Sequence, residues 1–396
     1  MKKILSVLLA LAMIMALAAC SGGGGGGGGE AVSGDVIKIG VFEPQTGDNG
    51  AGGKQEILGM QYANALYPTV ELNGKTYTIE LVYADNESSV DKAVSAATKC
   101  ISEGCSVVLG SYGSGVSMAA ADTFQADGMP AIGVGCTNAL VTQDNDIYFR
   151  ICFIDPEQGT IDANLCKDLG VKKVYCLAML GEDYGQGLVT YFVKACNDLG
   201  IEVVGQDSFP EGNSDFTSYL NNAKNGGAEA IFSPCATGYA QQIISQAASM
   251  GFDVPLIAGD TWDSGVISDA CKNAAMEMDV YCSTFYANGF NEEFETAIKK
   301  WITDDATNYA NNGSTDELAA MTVMGYDTYM TAYKAIINSG TGAKADVLAA
   351  LPGTKITGIT GEISFKEGGD CDRHEAFIKK YDYSTGSLEY FKVVNF

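Results

Sequence analysis

Residues 106–124 read SVVLGSYGSGVSMAAADTF and contain one complete structural unit of this chain. The apolar residues 107–109 predict a short buried strand, and the glycines and serines of 110–115 predict a loop. Ala120 and Phe124 then fall at helical spacing. A strand, a glycine-rich loop and a helix in succession form the repeating unit of a parallel sheet that helices cover.

The same unit recurs along the chain. A strand predicted at Val36–Phe42 precedes a helical pattern over 55–66, and a strand at 77–83 precedes a helix that Ser89 is expected to cap. That helix is expected to bury Val90, Val94, Ala97 and Ile101. Further short apolar strands are predicted at 131–134, 174–179, 201–204, 229–232 and 256–258.

These units are too many for one sheet of usual size. Tyr148-Phe149-Arg150-Ile151 followed by Asp155-Pro156 predicts a break between two sheets. The length from about residue 36 to residue 396 also suits two cores better than one. The predicted fold class is therefore α/β, with two doubly wound, Rossmann-like lobes.

The N-terminal residues predict export and lipidation. Lys2 and Lys3 precede an apolar run over 4–19, which is shorter than the roughly 20 residues of a transmembrane helix. Small residues before Cys20 resemble the lipobox of bacterial lipoproteins. We therefore predict a signal peptide over 1–20, an acylated Cys20 and a flexible glycine-rich linker over 21–35, in a protein held outside the cytoplasm. The alternative is an ordinary signal peptide in which Cys20 is incidental.

The composition excludes some partners. The formal net charge is -25, so nucleic acid and anionic membrane surfaces would repel the chain. The chain has 12 cysteines but no C-x-x-C motif. Eleven remain apart from Cys20, and five of them lie in or beside apolar stretches and are interpreted as small core residues: Cys100, Cys136, Cys176, Cys235 and Cys282. We assign no disulfide pair.

The usual enzyme signatures are missing from the sequence. His374 is the sole histidine, so no multi-histidine metal site is available, and its charged surroundings predict a solvated side chain. Neither a G-x-S-x-G elbow, nor a Walker A sequence, nor a G-x-G-x-x-G motif between strand and helix is present. We predict no catalytic residue, no metal and no cofactor.

Three loops that follow predicted strands carry binding chemistry. The loop 110–115 offers free backbone N–H groups and Ser114 at a helix N-terminus, which favours an anion such as a carboxylate. Gly135-Cys136-Thr137-Asn138 offers a second hydroxyl near the same edge. In Gly259-Asp260-Thr261-Trp262-Asp263, carboxylates and an indole are suited to an ammonium group. The structural alternatives are simple helix caps, made by Ser114 and by Asp260.

The order of these motifs resembles the leucine/isoleucine/valine-binding protein family, the solute receptors of branched-chain amino acid ABC importers. The resemblance covers nearly everything after the linker. It rests on the three segments Ile37-Lys38-Ile39-Gly40-Val41 with Thr46-Gly47, Tyr83-Ala84-Asp85-Asn86 and Asp183-Tyr184-Gly185-Gln186-Gly187, together with the loops at 135–138 and 259–263. Each motif alone is a weak indication of the family, but five motifs in the same order are a specific one.

The resemblance implies the fold and the site. Two Rossmann-like lobes are joined by three hinge crossovers, with a first lobe of 36–153 plus 284–365 and a second of 154–283 plus 366–396. By this resemblance Ser114 and Thr137, with backbone groups near Gly135, hold an α-carboxylate. Asp260 takes the ammonium group and Tyr184 covers the ligand.

The chain departs from the family pattern at three places. Gly52 stands where well-known members have a tryptophan, so the pocket for the ligand's side chain is expected to be roomier or to be filled by Tyr112. Cys235-Ala236-Thr237 replaces aromatic residues. Glu87 and Gly113 stand where some members have a disulfide. Tyr112 and Trp262 complete the predicted binding residues.

The predicted function is an extracytoplasmic, monomeric solute-binding lipoprotein. By the resemblance it captures a branched-chain or similar amino acid and delivers it to the permease and ATPase subunits of an ABC importer. One alternative is a sensor for small amides, urea-like compounds or aromatic acids. An enzyme is a further alternative, and it would have to rely on carboxylates and thiols.

Overall fold

A computed structural model describes Val32 and residues 34–396, which form two sheets flanked by helices. The predicted signal peptide, Cys20 and most of the predicted linker lie outside the described residues. In the first sheet the strands lie in the order β2-β3-β1-β4-β5-β6. All neighbours are parallel except β2 and β3. The strands are β1 Val36–Val41, β2 Thr69–Leu72, β3 Lys75–Tyr83, β4 Val107–Leu109, β5 Ala131–Gly133 and β6 Tyr148–Arg150.

The chain after residue 150 forms a second sheet and a small hairpin. The strands are β7 Lys173–Met179, β8 Glu202–Phe209, β9 Ala230–Phe232, β10 Leu256–Ala258, β11 Val280–Thr284, β12 Ile356–Gly358, β13 Gly361–Ile363, β14 Glu375–Asp382 and β15 Ser387–Asn395. The second sheet has the order β15-β14-β11-β10-β9-β7-β8, and β12 pairs with β13 alone. Strands β14 and β15 are antiparallel, and the sequence pattern did not predict them.

Twelve α-helices cover the sheets of the described chain. They are α1 Gly50–Leu66, α2 Val90–Ser102, α3 Ser114–Asp127, α4 Asp155–Asp168, α5 Asp183–Leu199, α6 Thr217–Gly226, α7 Thr237–Ser249, α8 Gly265–Lys272, α9 Glu292–Asp304, α10 Ala306–Asn311, α11 Ala320–Ser339 and α12 Lys344–Ala350. None of the helices in this part of the chain combines the length and the apolar character needed to cross a membrane.

The chain passes between the two lobes three times, after β6, after β11 and before β14. After the second crossing, α11 packs along α1 of the first lobe. The predicted fold class, two doubly wound lobes with three crossovers, is confirmed. The strands of the two sheets fall within 36–150 and within 173–284 plus 375–395, while the lobe boundaries themselves stay a proposal.

Glycines set the distance between α1 and α11. A β-carbon at Gly59 would overlap the carbonyl oxygen of Thr322, and one at Gly325 would overlap that of Glu56. Because neither glycine has a side chain, the two helix backbones approach closely. Glu56 is thereby held at the interface of two buried helices.

Two local predictions were wrong. Val90 and Val94 of α2 are about half exposed, at 52% and 50%, whereas Ala96 and Ala97 are buried. Helix α2 packs on α3 through small side chains, which allow a closer approach than valine would. Ser89 occupies the N-cap position, but its side chain makes no capping hydrogen bond.

Candidate functional site

A cavity of about 320 Å³ lies between the two lobes. Its walls are loops that follow β1, β3, β4 and β5 in the first lobe and β7, β8, β9 and β10 in the second. The carboxyl ends of parallel strands are where ligands of doubly wound sheets bind. The loops that the sequence singled out therefore meet at one place.

The lining of this cavity is acidic. No lysine, arginine or histidine lies among the described residues that line it. The carboxylates there come from both lobes: Asp48, Glu87, Asp91, Glu182, Asp183 and Glu211. A cleft lined by one sign of charge concentrates ligands of the opposite sign.

Ser114 and Thr137 belong to two adjacent first-lobe loops. Ser114 is the first residue of α3, and Gly113 holds the N-cap position, so Ser114 is not the helix cap. The Ser114 hydroxyl accepts a hydrogen bond from the backbone N–H of Asn138 at 3.2 Å, which joins the loops. Thr137 is fully buried, and its hydroxyl has no hydrogen-bond partner among the described residues.

Arg150 supports the loop that carries Thr137. Its guanidinium is buried and donates to the carbonyl oxygens of Cys136 at 2.8 Å and Asn138 at 2.6 Å. Asp370 pairs with the same guanidinium at 2.7 Å. The sequence analysis did not predict this role. The only indication in the sequence is a charged residue at the end of an apolar strand.

Asp260 and Tyr184 lie together in the second lobe. Oδ1 of Asp260 accepts hydrogen bonds from the Tyr184 hydroxyl at 3.2 Å and from Nε2 of Gln158 at 2.9 Å. Burial raises the pKa of Asp260 to about 7. Gly259 holds the N-cap position of the short 3-10 helix here, so the carboxylate of Asp260 is not occupied in capping.

The two predicted aromatic contacts lie in different environments. Tyr112 lines the cavity, and its ring packs on Gly52 so closely that a β-carbon there would overlap it. The tyrosine thus occupies the space beside Gly52. Trp262 is fully buried in the second-lobe core, where Nε1 donates to the carbonyl oxygen of Cys235 at 3.2 Å. Thr261, not Trp262, lines the cavity.

Contacts between the lobes surround the cavity. The Tyr239 hydroxyl donates to Asp48 at 2.6 Å, and Nδ2 of Asn138 donates to the carbonyl oxygen of Asp183 at 2.8 Å. The lobes are therefore closed on each other in this structure.

Comparison with known proteins identifies this architecture. The sequence profile of the periplasmic binding protein family matches residues 36–378. The chain belongs to that family.

Individual relatives of this periplasmic binding protein agree with the assignment. The Leu/Ile/Val-binding protein homolog 2 of Brucella abortus is 28% identical over 242 residues, 60% of this chain and 63% of that protein. Homolog 1 of Brucella melitensis is 25% identical over 338 residues, 84% of this chain and 87% of that protein. The crystal structure of a leucine binding protein, LivK, from Thermotoga maritima has a TM-score of 0.80 and 28% identity, covering 91% of this chain and 99% of that chain. The suspected family is confirmed.

Three buried carboxyl groups of this periplasmic binding protein escaped the sequence analysis. Glu43, Glu56 and Asp155 are all fully buried near the interlobe cleft. Burial raises the pKa of Asp155 to about 8, and the nearby Thr137 hydroxyl lowers it in part, although no well-formed hydrogen bond joins the two side chains. Burial also raises the pKa of both glutamates. The only indication of burial in the sequence is the position of each acidic residue within an apolar pattern.

Proposed function

We propose that this periplasmic binding protein captures an α-amino acid between its lobes and delivers it to the permease of an ABC importer, without catalysing a reaction. The observation that carries the proposal is the buried Asp260 carboxylate, which Gln158 and the cavity-lining Tyr184 orient through hydrogen bonds. An ionised carboxylate there is suited to an α-ammonium group. The relatives named as Leu/Ile/Val-binding proteins and the leucine binding protein of Thermotoga maritima support the same ligand class.

The α-carboxylate is assigned to the first lobe. Among the described residues the buried Thr137 hydroxyl makes no well-formed hydrogen bond, and Ser114 begins a helix whose N-terminal N–H groups favour an anion. A ligand held by both lobes binds the closed form better than the open form, so it shifts the hinge equilibrium towards closure. Closure around the ligand is the signal that a permease would recognise.

The anchoring of the protein is part of this proposal. Cys20 lies outside the described residues, and its acylation would hold the two lobes at the outer face of a membrane through the glycine-rich linker. Replacing Cys20 by serine should move the protein from the membrane fraction to the soluble fraction. Retention in the membrane fraction would contradict lipidation at this cysteine.

Thermal unfolding tests the ligand class. The soluble body should gain about 2.7 kcal/mol of stability at a hundredfold excess of a bound ligand over its Kd. We expect this shift with at least one α-amino acid and its loss in Asp260→Asn. A shift produced only by small amides or aromatic acids would replace the amino-acid assignment with the sensor alternative.

A further inference from the structure

Tyr112 brings to the cavity a hydroxyl group that makes no hydrogen bond with any described residue. The residue lines the cavity, and its side chain is 7% exposed. Its backbone N–H donates to Oε2 of Glu43 at 2.6 Å, which fixes the backbone of this residue. The ring lies against the first turn of α1, where a β-carbon at Gly52 would be 2.9 Å from the hydroxyl oxygen. The hydroxyl is therefore held in place, while its capacity to form hydrogen bonds is unused within the described chain.

The other buried hydroxyl groups of the cavity lining already have partners. Tyr184 and Tyr239 each donate to a carboxylate, at 3.2 Å and 2.6 Å, and Thr261 donates to a backbone carbonyl oxygen at 3.1 Å. Burial raises the pKa of Tyr112, so its hydroxyl keeps its proton at neutral pH. A neutral hydroxyl donates one hydrogen bond and accepts others. A polar group of a bound ligand would complete these bonds, whereas an apolar group would displace water without replacing it.

The charge of the lining limits which polar group fits. The described residues that line the cavity include six carboxylates and no lysine, arginine or histidine. A carboxylate at the end of the ligand's side chain would meet like charges, with no cation to offset them. A neutral hydrogen-bonding group meets no such repulsion.

Building on the proposed amino-acid function, we infer that the ligand is an α-amino acid whose side chain carries a hydroxyl or an amide group, and that Tyr112 selects it. The proposed function gives the α-carboxylate to Ser114 and Thr137 and the α-ammonium group to Asp260, which leaves Tyr112 for the side chain. An aliphatic side chain would leave the tyrosine hydroxyl unpaired in the closed cleft, which is the costly outcome for a buried polar group. A site that hydrogen-bonds a group of its ligand rejects the analogue that lacks it.

Pairs of amino acids of matched shape test the inference. L-threonine and L-valine, L-asparagine and L-leucine, and L-glutamine and L-homoleucine differ because methyl groups replace the polar atoms of the side chain. We expect isothermal titration calorimetry to show at least one polar amino acid binding about tenfold or more tighter than its aliphatic partner. In Tyr112→Phe that ratio should fall about fivefold or more. The unliganded variant should unfold at the wild-type temperature, because the hydroxyl makes no hydrogen bond with the described residues.

Tyr62→Phe is the matched control. The Tyr62 side chain is also 7% exposed and makes no hydrogen bond with the described residues, but it is not among the residues that line the cavity. Its ring packs against Phe294 and Trp301. This variant should keep the wild-type affinities and the wild-type ratio.

The outcomes separate this inference from the proposed function. If every aliphatic amino acid binds the wild-type protein as tightly as its polar partner, the polar side chain is excluded and the amino-acid function stands. If Tyr112→Phe weakens both members of each pair equally, the hydroxyl binds a group common to all amino acids, and the selective role is overturned while the function stands. If no amino acid binds the wild-type protein, both are overturned.

Discussion

Tyr239 of the second lobe donates its hydroxyl proton to Oδ2 of Asp48 in the first lobe, with 2.6 Å between the two oxygens. The same hydroxyl accepts a hydrogen bond from the backbone N–H of Gly212 at 3.0 Å, which fixes its direction. Asp48 and Tyr239 both line the cavity. The bond joins the two lobes across the cavity, so it forms only when the lobes are closed and it stabilises the closed form.

Replacing Tyr239 by phenylalanine should therefore speed ligand release. A hydrogen bond to a charged group contributes about 1.5 kcal/mol, or roughly a tenfold faster dissociation rate, measured by stopped-flow fluorescence. Tyr219→Phe is the control, because Tyr219 lies on α6 and is not among the residues that line the cavity. An unchanged dissociation rate in Tyr239→Phe would show that this contact does not hold the lobes closed.

Asp260→Asn should weaken amino-acid binding by about 1.5 to 3 kcal/mol, because a charge-assisted bond to the α-ammonium group is lost. The amide keeps an acceptor for Tyr184 and Gln158, so the fold should be preserved. Calorimetric titration measures the loss. Asp269→Asn, an exposed position on α8, should bind normally. Near-native affinity in Asp260→Asn would place the ammonium group elsewhere.

Binding should strengthen as the pH rises towards about 7. Burial raises the pKa of Asp260 to about 7, so below that value most of the unliganded protein carries a neutral Asp260. An ammonium ligand favours the ionised form, so binding releases a proton, and affinity falls by up to about tenfold for each pH unit below the pKa. Titrations in two buffers of different ionisation enthalpy measure the released proton. Affinity that does not change between pH 5 and pH 7 would refute this role of Asp260. In Asp260→Asn the affinity should no longer depend on pH over this range.

Thr137→Val should lower affinity without destabilising the unliganded protein. Among the described residues the buried hydroxyl makes no well-formed hydrogen bond, and valine has nearly the same shape, so folding should lose little stability. A lost bond to the ligand carboxylate costs about 1.5 kcal/mol or more. Thr322→Val is a close control, since that hydroxyl is also buried and unpartnered but lies on α11 at the helix interface. Equal affinity of the two variants for the ligand would show that Thr137 does not bind it.

Two helical glycines, Gly59 and Gly238, should respond oppositely to replacement by alanine. At Gly59 the new methyl group would meet the Thr322 carbonyl oxygen, and overpacking of this kind costs about 1 to 3 kcal/mol. At Gly238 on α7 the methyl group meets nothing within 4 Å, so the helix should gain about 0.5 to 1 kcal/mol. Urea unfolding of the unliganded variants measures both changes. Destabilisation by Gly238→Ala equal to that of Gly59→Ala would contradict the close approach of α1 and α11.

Part of the site could be predicted because it depends on local sequence. Loops that follow apolar strands were identified from periodicity and glycine content, and the structure places those at 110–115, 135–138 and 259–263 around one cleft. The structure joins Asp260 and Tyr184 by a hydrogen bond. The ligand contacts themselves remain predictions.

Other features could not be predicted because they depend on distant segments. Trp262 was assigned to the ligand from its place beside Asp260, but the backbone turns its indole into the second-lobe core. Glu56 looked like an ordinary polar position of α1 until α11 and the loop at Gly135 closed over it. Arg150 gained its partner from Asp370, far along the chain.

The sequence by itself determined the repeating strand, loop and helix, because hydrophobic periodicity and turn chemistry act over a few residues. It also determined which loops carry hydroxyl and carboxylate groups. Only the tertiary structure decided which of the acidic groups are buried together and which of the glycines are indispensable. Burial and charge pairing depend on three-dimensional proximity, and residues such as Glu56 and Gly135, which are 79 positions apart in the chain, become neighbours only when the first lobe has folded.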